Sequence, residues 1–139
     1  MTTLRTRQQG VMLLEALIGI LLFSIGILAL LGMQGIAMRA TIDAKYRSEA
    51  SFLANEIVGT MWGDADNLAN YNDAQCASNA RCTAWKARVQ AMLPAIAGTP
   101  PPSIAIATRQ ATITVYWQRQ GETTYSRHQV VAQIFRSTD

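Results

Sequence analysis

No acidic residue stands in the first ten positions, no proline precedes Pro94, and only Glu15 is charged between Val11 and Met33. Without proline, nothing in the first ninety residues removes a helical N–H or forces a kink. Cysteine is limited to Cys76 and Cys82, and histidine to His128. Three such residues cannot fill a four-ligand structural zinc site. Neither a nucleophile elbow nor a phosphate-binding glycine loop occurs. No catalytic residue, metal or cofactor is therefore assigned, and an enzyme is not expected. His128 alternates with strand-forming residues and is expected to pack or face solvent rather than act as a base. The formal charge is +3, and Arg5 and Arg7 supply two of those charges. Beyond position 10 the chain carries ten basic against nine acidic residues. That balance lacks the clustered basic stripe of a nucleic-acid surface, so no nucleic acid is expected as a partner.

The informative part of the chain is its start. Met1 to Gly10 holds Arg5 and Arg7 and ends in the polar Gln8-Gln9-Gly10. An uninterrupted apolar run follows from Val11 to Met33. As a helix it would extend about 35 Å, enough to cross a hydrocarbon core of about 30 Å. A secretory signal has a shorter apolar region, roughly 7–15 residues, closed by a small-residue cleavage site. Here the small residue, Gly10, precedes the run instead. Positive charge ahead of the span places the N-terminus in the cytoplasm and the remainder outside the membrane. After Arg39 the chain turns mixed and polar, which leaves a soluble portion of roughly 100 residues to form one small core.

Glu15 is the anomaly. An acidic group at the centre of a membrane helix costs about 2.5–3.5 kcal/mol on insertion scales, and less near an end. None of Ala16, Leu17, Ile18 or Gly19 can supply a cation at helical spacing. Its partner is headgroup water, another chain, or a new amine. A cut after Gly10 would create such an amine at Val11, four residues before Glu15.

The string Gly10-Val11-Met12-Leu13-Leu14-Glu15-Ala16-Leu17-Ile18 resembles the class III signal of type IV prepilins and pseudopilins. The continuation Leu22-Phe23-Ser24-Ile25-Gly26-Ile27-Leu28-Ala29-Leu30-Leu31-Gly32-Met33-Gln34 is similar to the spine of PilV-type minor pilins. So are Ala54-Asn55-Glu56-Ile57-Val58-Gly59-Thr60-Met61-Trp62 and Tyr71-Asn72, near the helix end. The resemblance implies that a membrane prepilin peptidase cuts after Gly10 and N-methylates Val11. It also implies that Glu15 pairs with the α-ammonium of a neighbouring subunit during assembly. Val11 departs from the pattern, in which Phe or Met is commoner, and many major pilins carry a spine proline that is missing here. The implied function is that of a minor pilin of the type IV pilus, present at low copy and supporting initiation of assembly, and so adhesion and twitching motility. Other minor pilins, the major pilin and a tip adhesin are the implied partners, and the inner membrane holds the chain before assembly. A minor pseudopilin of a type II secretion system shares the leader and Glu15 and is the alternative. A DNA-uptake pilin is disfavoured because Arg119, Arg127 and Arg136 are few and scattered.

The expected organisation is a leader over 1–10, a membrane and filament-core helix over 11–35, its amphipathic continuation over 36–62, and a head over 63–139. Ile42, Tyr46, Phe52, Leu53, Ile57 and Met61 recur at spacings near three and four. One helix is thus expected from about residue 12 to 62. Its length of about 75 Å is more than a head of this size can bury. Gly19, Gly26, Gly32 and Gly35 lie in it, as small residues do both in ordinary membrane helices and at their packing interfaces. The segment from Gly63 to Ala80, with Asp64, Asp66, Asn67, Asn70, Asn72 and Asp73, is expected to be loop built on Asx turns. Its spacing does not fit an EF-hand. Cys76 and Cys82 are expected to form a disulfide in an oxidising periplasm. A short helix is expected over Thr83–Leu93, stopped by Pro94, with Trp85, Val89, Met92 and Leu93 on one side. Strands are expected at Ile104–Ile106, Thr112–Trp117 and Ser126–Phe135, the last two joined by a hairpin around Gly121. The fold class is α+β: a long N-terminal helix with a small antiparallel sheet as head.

Overall fold

The computed structural model describes residues 8–135. Arg5 and Arg7 of the leader, and Arg136, lie outside the described residues. Helix α1 runs Gln8–Gly63, then two 3-10 turns, Ala65–Tyr71 and Cys76–Ser78, lead to α2 at Ala80–Met92. Strands β1 (Ser103–Ala107), β2 (Gln110–Trp117) and β3 (Ser126–Gln133) complete the chain. The α+β arrangement read from the sequence is the one found. The chain divides into two units, residues 1–42 and 43–139.

In the first unit every described residue is helical. Its large apolar side chains, from Val11 to Met38, are all exposed. The two hydroxyls of this stretch turn back on the helix: Ser24 Oγ donates to the Ile20 carbonyl at 2.7 Å and Thr41 Oγ1 to Ala37 at 3.0 Å. Such back-bonding satisfies a polar side chain where water is scarce.

The second unit has the core. The C-terminal part of α1 contributes Ala50, Leu53, Ala54, Ile57 and Met61, all buried. They pack with Cys82, Trp85 and Val89 of α2 and with Ile104, Ile113, Val115, Trp117 and Ile134 of the sheet region. The sheet order is β1-β2-β3, antiparallel throughout, with Ile104 opposite Ile113 and Ile113 opposite Val130. Alternation then puts Ala111, Ile113, Val115 and Trp117 on the helix side. Between β2 and β3 the turn uses Gly121 at φ +89°, a left-handed conformation that glycine adopts without steric cost.

Several boundaries differ from the expectation. Helix α1 is already formed at Gln8, the first described residue, ahead of the start expected near residue 12. Helix α2 begins at Ala80, three residues early, because the Asn79 side chain accepts from the backbone N–H of Arg81 and Cys82. That cap satisfies two donors which the helix start would otherwise leave bare. Phe52, which the spacing groups with Leu53 and Ile57, is 62% exposed. The buried stripe is centred on Leu53 and Ile57, and the small Ala50 and Ala54 close it, so Phe52 falls about 100° to one side. Met92 is likewise exposed, whereas Leu93 just past the helix end is buried. Strand β3 ends at Gln133, two residues before Phe135.

Candidate functional site

Gly10, Val11 and Glu15 sit together in the first turns of α1. The Gly10–Val11 peptide bond lies within the helix, which runs unbroken from Gln8. Gly10 is exposed, and a Cβ added there would meet nothing within 4 Å. No packing among the described residues therefore demands glycine at position 10. Val11 and Glu15 are four residues apart, which places them one above the other on a single helix face. In the intact chain the Val11 nitrogen is an amide and carries no charge; only a cut would convert it into a cation. Glu15 is exposed and has no ion pair or hydrogen bond among the described residues.

Around this triad the surface is continuous hydrocarbon. The apolar part of α1 reaches a mean hydropathy of 2.6 over eighteen residues, and none of that window is buried. It is long and apolar enough to span a membrane. Gly19, Gly26, Gly32 and Gly35 also have open space where a side chain would project. Each costs a helix about 1 kcal/mol relative to alanine, and no contact among the described residues compensates.

The head has a braced connection between α1 and the sheet. Cys76 and Cys82 form a disulfide with a Cα–Cα distance of 5.4 Å, tying the second 3-10 turn to α2. Both sulfur-bearing residues are buried. Beside the bridge, Asp64 accepts hydrogen bonds from Asn67 Nδ2 at 2.7 Å and Tyr71 Oη at 2.9 Å, and faces Arg81 Nη1 at 2.9 Å. Those hydrogen bonds, first from Asn67 and then from Tyr71, hold its carboxyl below the usual carboxylate value, with Arg81 adding to the effect. Burial pushes the Tyr71 phenol up. The carboxylate that opens the Asx-rich segment is thus engaged by Asn67, Tyr71 and Arg81. Among the described residues no group of three or more His, Cys, Asp and Glu could hold a metal. His128 is half-buried on β3, opposite Val115.

Three links in the head were not foreseen from the sequence. Asp73 closes the outer edge of β1: its N–H donates to the Ile104 carbonyl at 2.9 Å, and its Oδ1 accepts from the Ile104 N–H at 3.0 Å. Lys86 Nζ holds that same oxygen at 2.7 Å. The Trp85 indole N–H donates to the Leu53 carbonyl at 2.7 Å, fastening α2 to α1 inside the core. Buried Gln118 joins the hairpin to the segment between α2 and β1, donating its N–H to the Pro94 carbonyl and accepting from Thr99 Oγ1. A buried tryptophan needs a partner for its N–H, which was the one available sign of the second link. Partners so distant in sequence leave no local signal.

Compared with protein families, curated proteins and solved structures, the chain matches none.

Proposed function

We propose that this chain is a minor pilin of the type IV pilus, held in the inner membrane by α1 with its head in the periplasm until it enters a filament. The observation that carries the reading is the apolar, uncovered stretch of α1 with a single carboxylate near its start, Glu15, which has no partner among the described residues. A bilayer covers such a helix first and a bundle of neighbouring α1 helices covers it afterwards. The prepilin signal at Gly10, Val11 and Glu15 supplies the switch between the two. Cleavage removes the cationic leader and leaves an α-ammonium on Val11. In an apolar bundle, the Glu15 carboxylate of one subunit attracts the α-ammonium of the next, and the attraction strengthens as the local dielectric falls. One subunit carries both groups and so joins neighbours on two sides. The protein acts as a peptidase substrate and a structural subunit, not as a catalyst, and it serves initiation of assembly at low copy.

The test is genetic. A deletion strain should lose most surface pili and twitching. Glu15→Ala should leave cleavage nearly intact while incorporation into sheared fibres falls. Normal piliation in the deletion strain would overturn the initiation role. Loss of protein secretion with pili intact would assign the chain to a type II secretion system instead.

A further inference from the structure

The two edges of the head's sheet are treated differently. On β1 the edge is closed by Asp73, bonded to both backbone groups of Ile104. On β3 it is open. Ile134 N–H donates to the Arg109 carbonyl at 2.8 Å, which fixes the pair Arg109–Ile134 as hydrogen-bonded. Antiparallel pairs alternate, so Arg127, Gln129, Val131 and Gln133 turn their backbone N–H and C=O away from β2. Among the described residues nothing bonds to those outward groups. The register with β2 is unbroken over all eight residues of β3, without a bulge or proline to blunt the edge.

Beside this edge lies an open groove of about 700 Å³, lined by Arg47, Ser48, Ser51, Phe52, Asn55 and His128. Its helix wall continues along one stripe of α1 to Gly59, where an added Cβ would meet nothing within 4 Å, and to Trp62. Trp62 meets Phe135 edge-on at 6.5 Å between ring centres, and both rings are about half exposed. The floor thus offers apolar anchors in Phe52 and Trp62 next to an unpaired backbone ladder.

Charge identifies the occupant. In this unit Asp43 and Glu122 face Arg119, Glu49 faces Lys45, Glu56 faces Arg88, Asp64 faces Arg81, and Asp73 faces Lys86. Asp66 is engaged as well. Arg47 in the groove and Arg127 on the edge have no carboxylate partner among the described residues. Among the described residues of this unit, a second copy would bring the same two cations and no carboxylate without a partner of its own.

We propose that the free edge of β3 and the groove beside it receive an extended acidic segment of another polypeptide, added to the sheet as a fourth strand. Main-chain hydrogen bonds to residues 127–133 give the strand its affinity, and alternate side chains give it its selectivity. One set of side chains reaches Arg127 on the outer face of the sheet. The other set lies over Phe52 and approaches Arg47. The inference goes beyond the proposed assembly role and does not depend on it.

The experiment is amide hydrogen exchange on the full chain in detergent micelles. The probe is a synthetic peptide alternating glutamate and valine, matched to the eight residues of β3, beside its lysine–valine counterpart. The acidic peptide should slow exchange at Gln129, Val131 and Gln133 by about tenfold or more, and the lysine peptide should not. Arg47→Glu combined with Arg127→Glu changes only exposed side chains and should reverse the preference. Gln129→Pro removes one outward N–H without touching the ladder to β2, and should abolish the effect of either peptide. Unchanged exchange with the acidic peptide would overturn the proposal, as would equal slowing by both peptides. Protection that appears on concentrating the protein alone would make a second copy the occupant and would overturn it too.

Discussion

Asp64 and Trp85 show how single side chains hold the head together. Asp64 has its carboxyl lowered by the hydrogen bonds of Asn67 and Tyr71 and by Arg81. A lowered folded-state value means that the stabilisation is fully present above the ordinary aspartate value of about 4. It is lost as pH falls through the lowered value, because the unfolded chain takes up the proton first. Asp64→Ala should therefore be less stable at neutral pH, with a shallower loss of stability between neutral and strongly acid solution. Denaturant unfolding across that range checks this, and parallel acid limbs for the two proteins would contradict it. Trp85 is buried and its N–H reaches the Leu53 carbonyl. Trp85→Phe deletes that bond and some volume, and should cost about 1–3 kcal/mol. An unfolding midpoint equal to that of the unchanged chain would show that the bond contributes nothing.

Elements were legible wherever a signal is local. The long helix followed from an apolar run without proline, and the β2–β3 hairpin from alternation on either side of Gly121. In β2, Ile113, Val115 and Trp117 point inward as the pattern of two requires. What the sequence hid was set by contacts distant along the chain. Asn79 caps α2, yet Ser78 just before it and Thr83 soon after are residues that could cap as well. Ala50 and Ala54 are fully buried; counting only large side chains therefore shifted the inward face toward Phe52. The Asp73 brace on β1 joins residues thirty-one apart. The disulfide, by contrast, was legible because only two cysteines exist. It closes a loop of six residues' separation, for which loop-closure entropy gives about 2 kcal/mol. Replacing both Cys76 and Cys82 with alanine should lower unfolding stability by about that amount. A double variant as stable as the unchanged chain would mean that the bridge does not constrain the unfolded state.

At the scale of the whole molecule, one chain carries two kinds of surface. The head gathers most of its large apolar residues into one core, while α1 leaves its own uncovered from Val11 to Met38. The proposed role assigns that surface to a bilayer and then to other helices, with the exchange licensed by a cut after Gly10. Because α1 is continuous through the Gly10–Val11 bond, that bond must leave its helical conformation to enter a peptidase active site. Glu15 then has a cation to meet only in the cut form. The most direct measurement is intact-mass and N-terminal fragment analysis of the chain recovered from sheared surface fibres. The account predicts a chain beginning at N-methylated Val11, at a small fraction of the major subunit, and its absence when Gly10→Arg blocks the cut. A chain still beginning at Met1, or one that forms the bulk of the fibre, would contradict it.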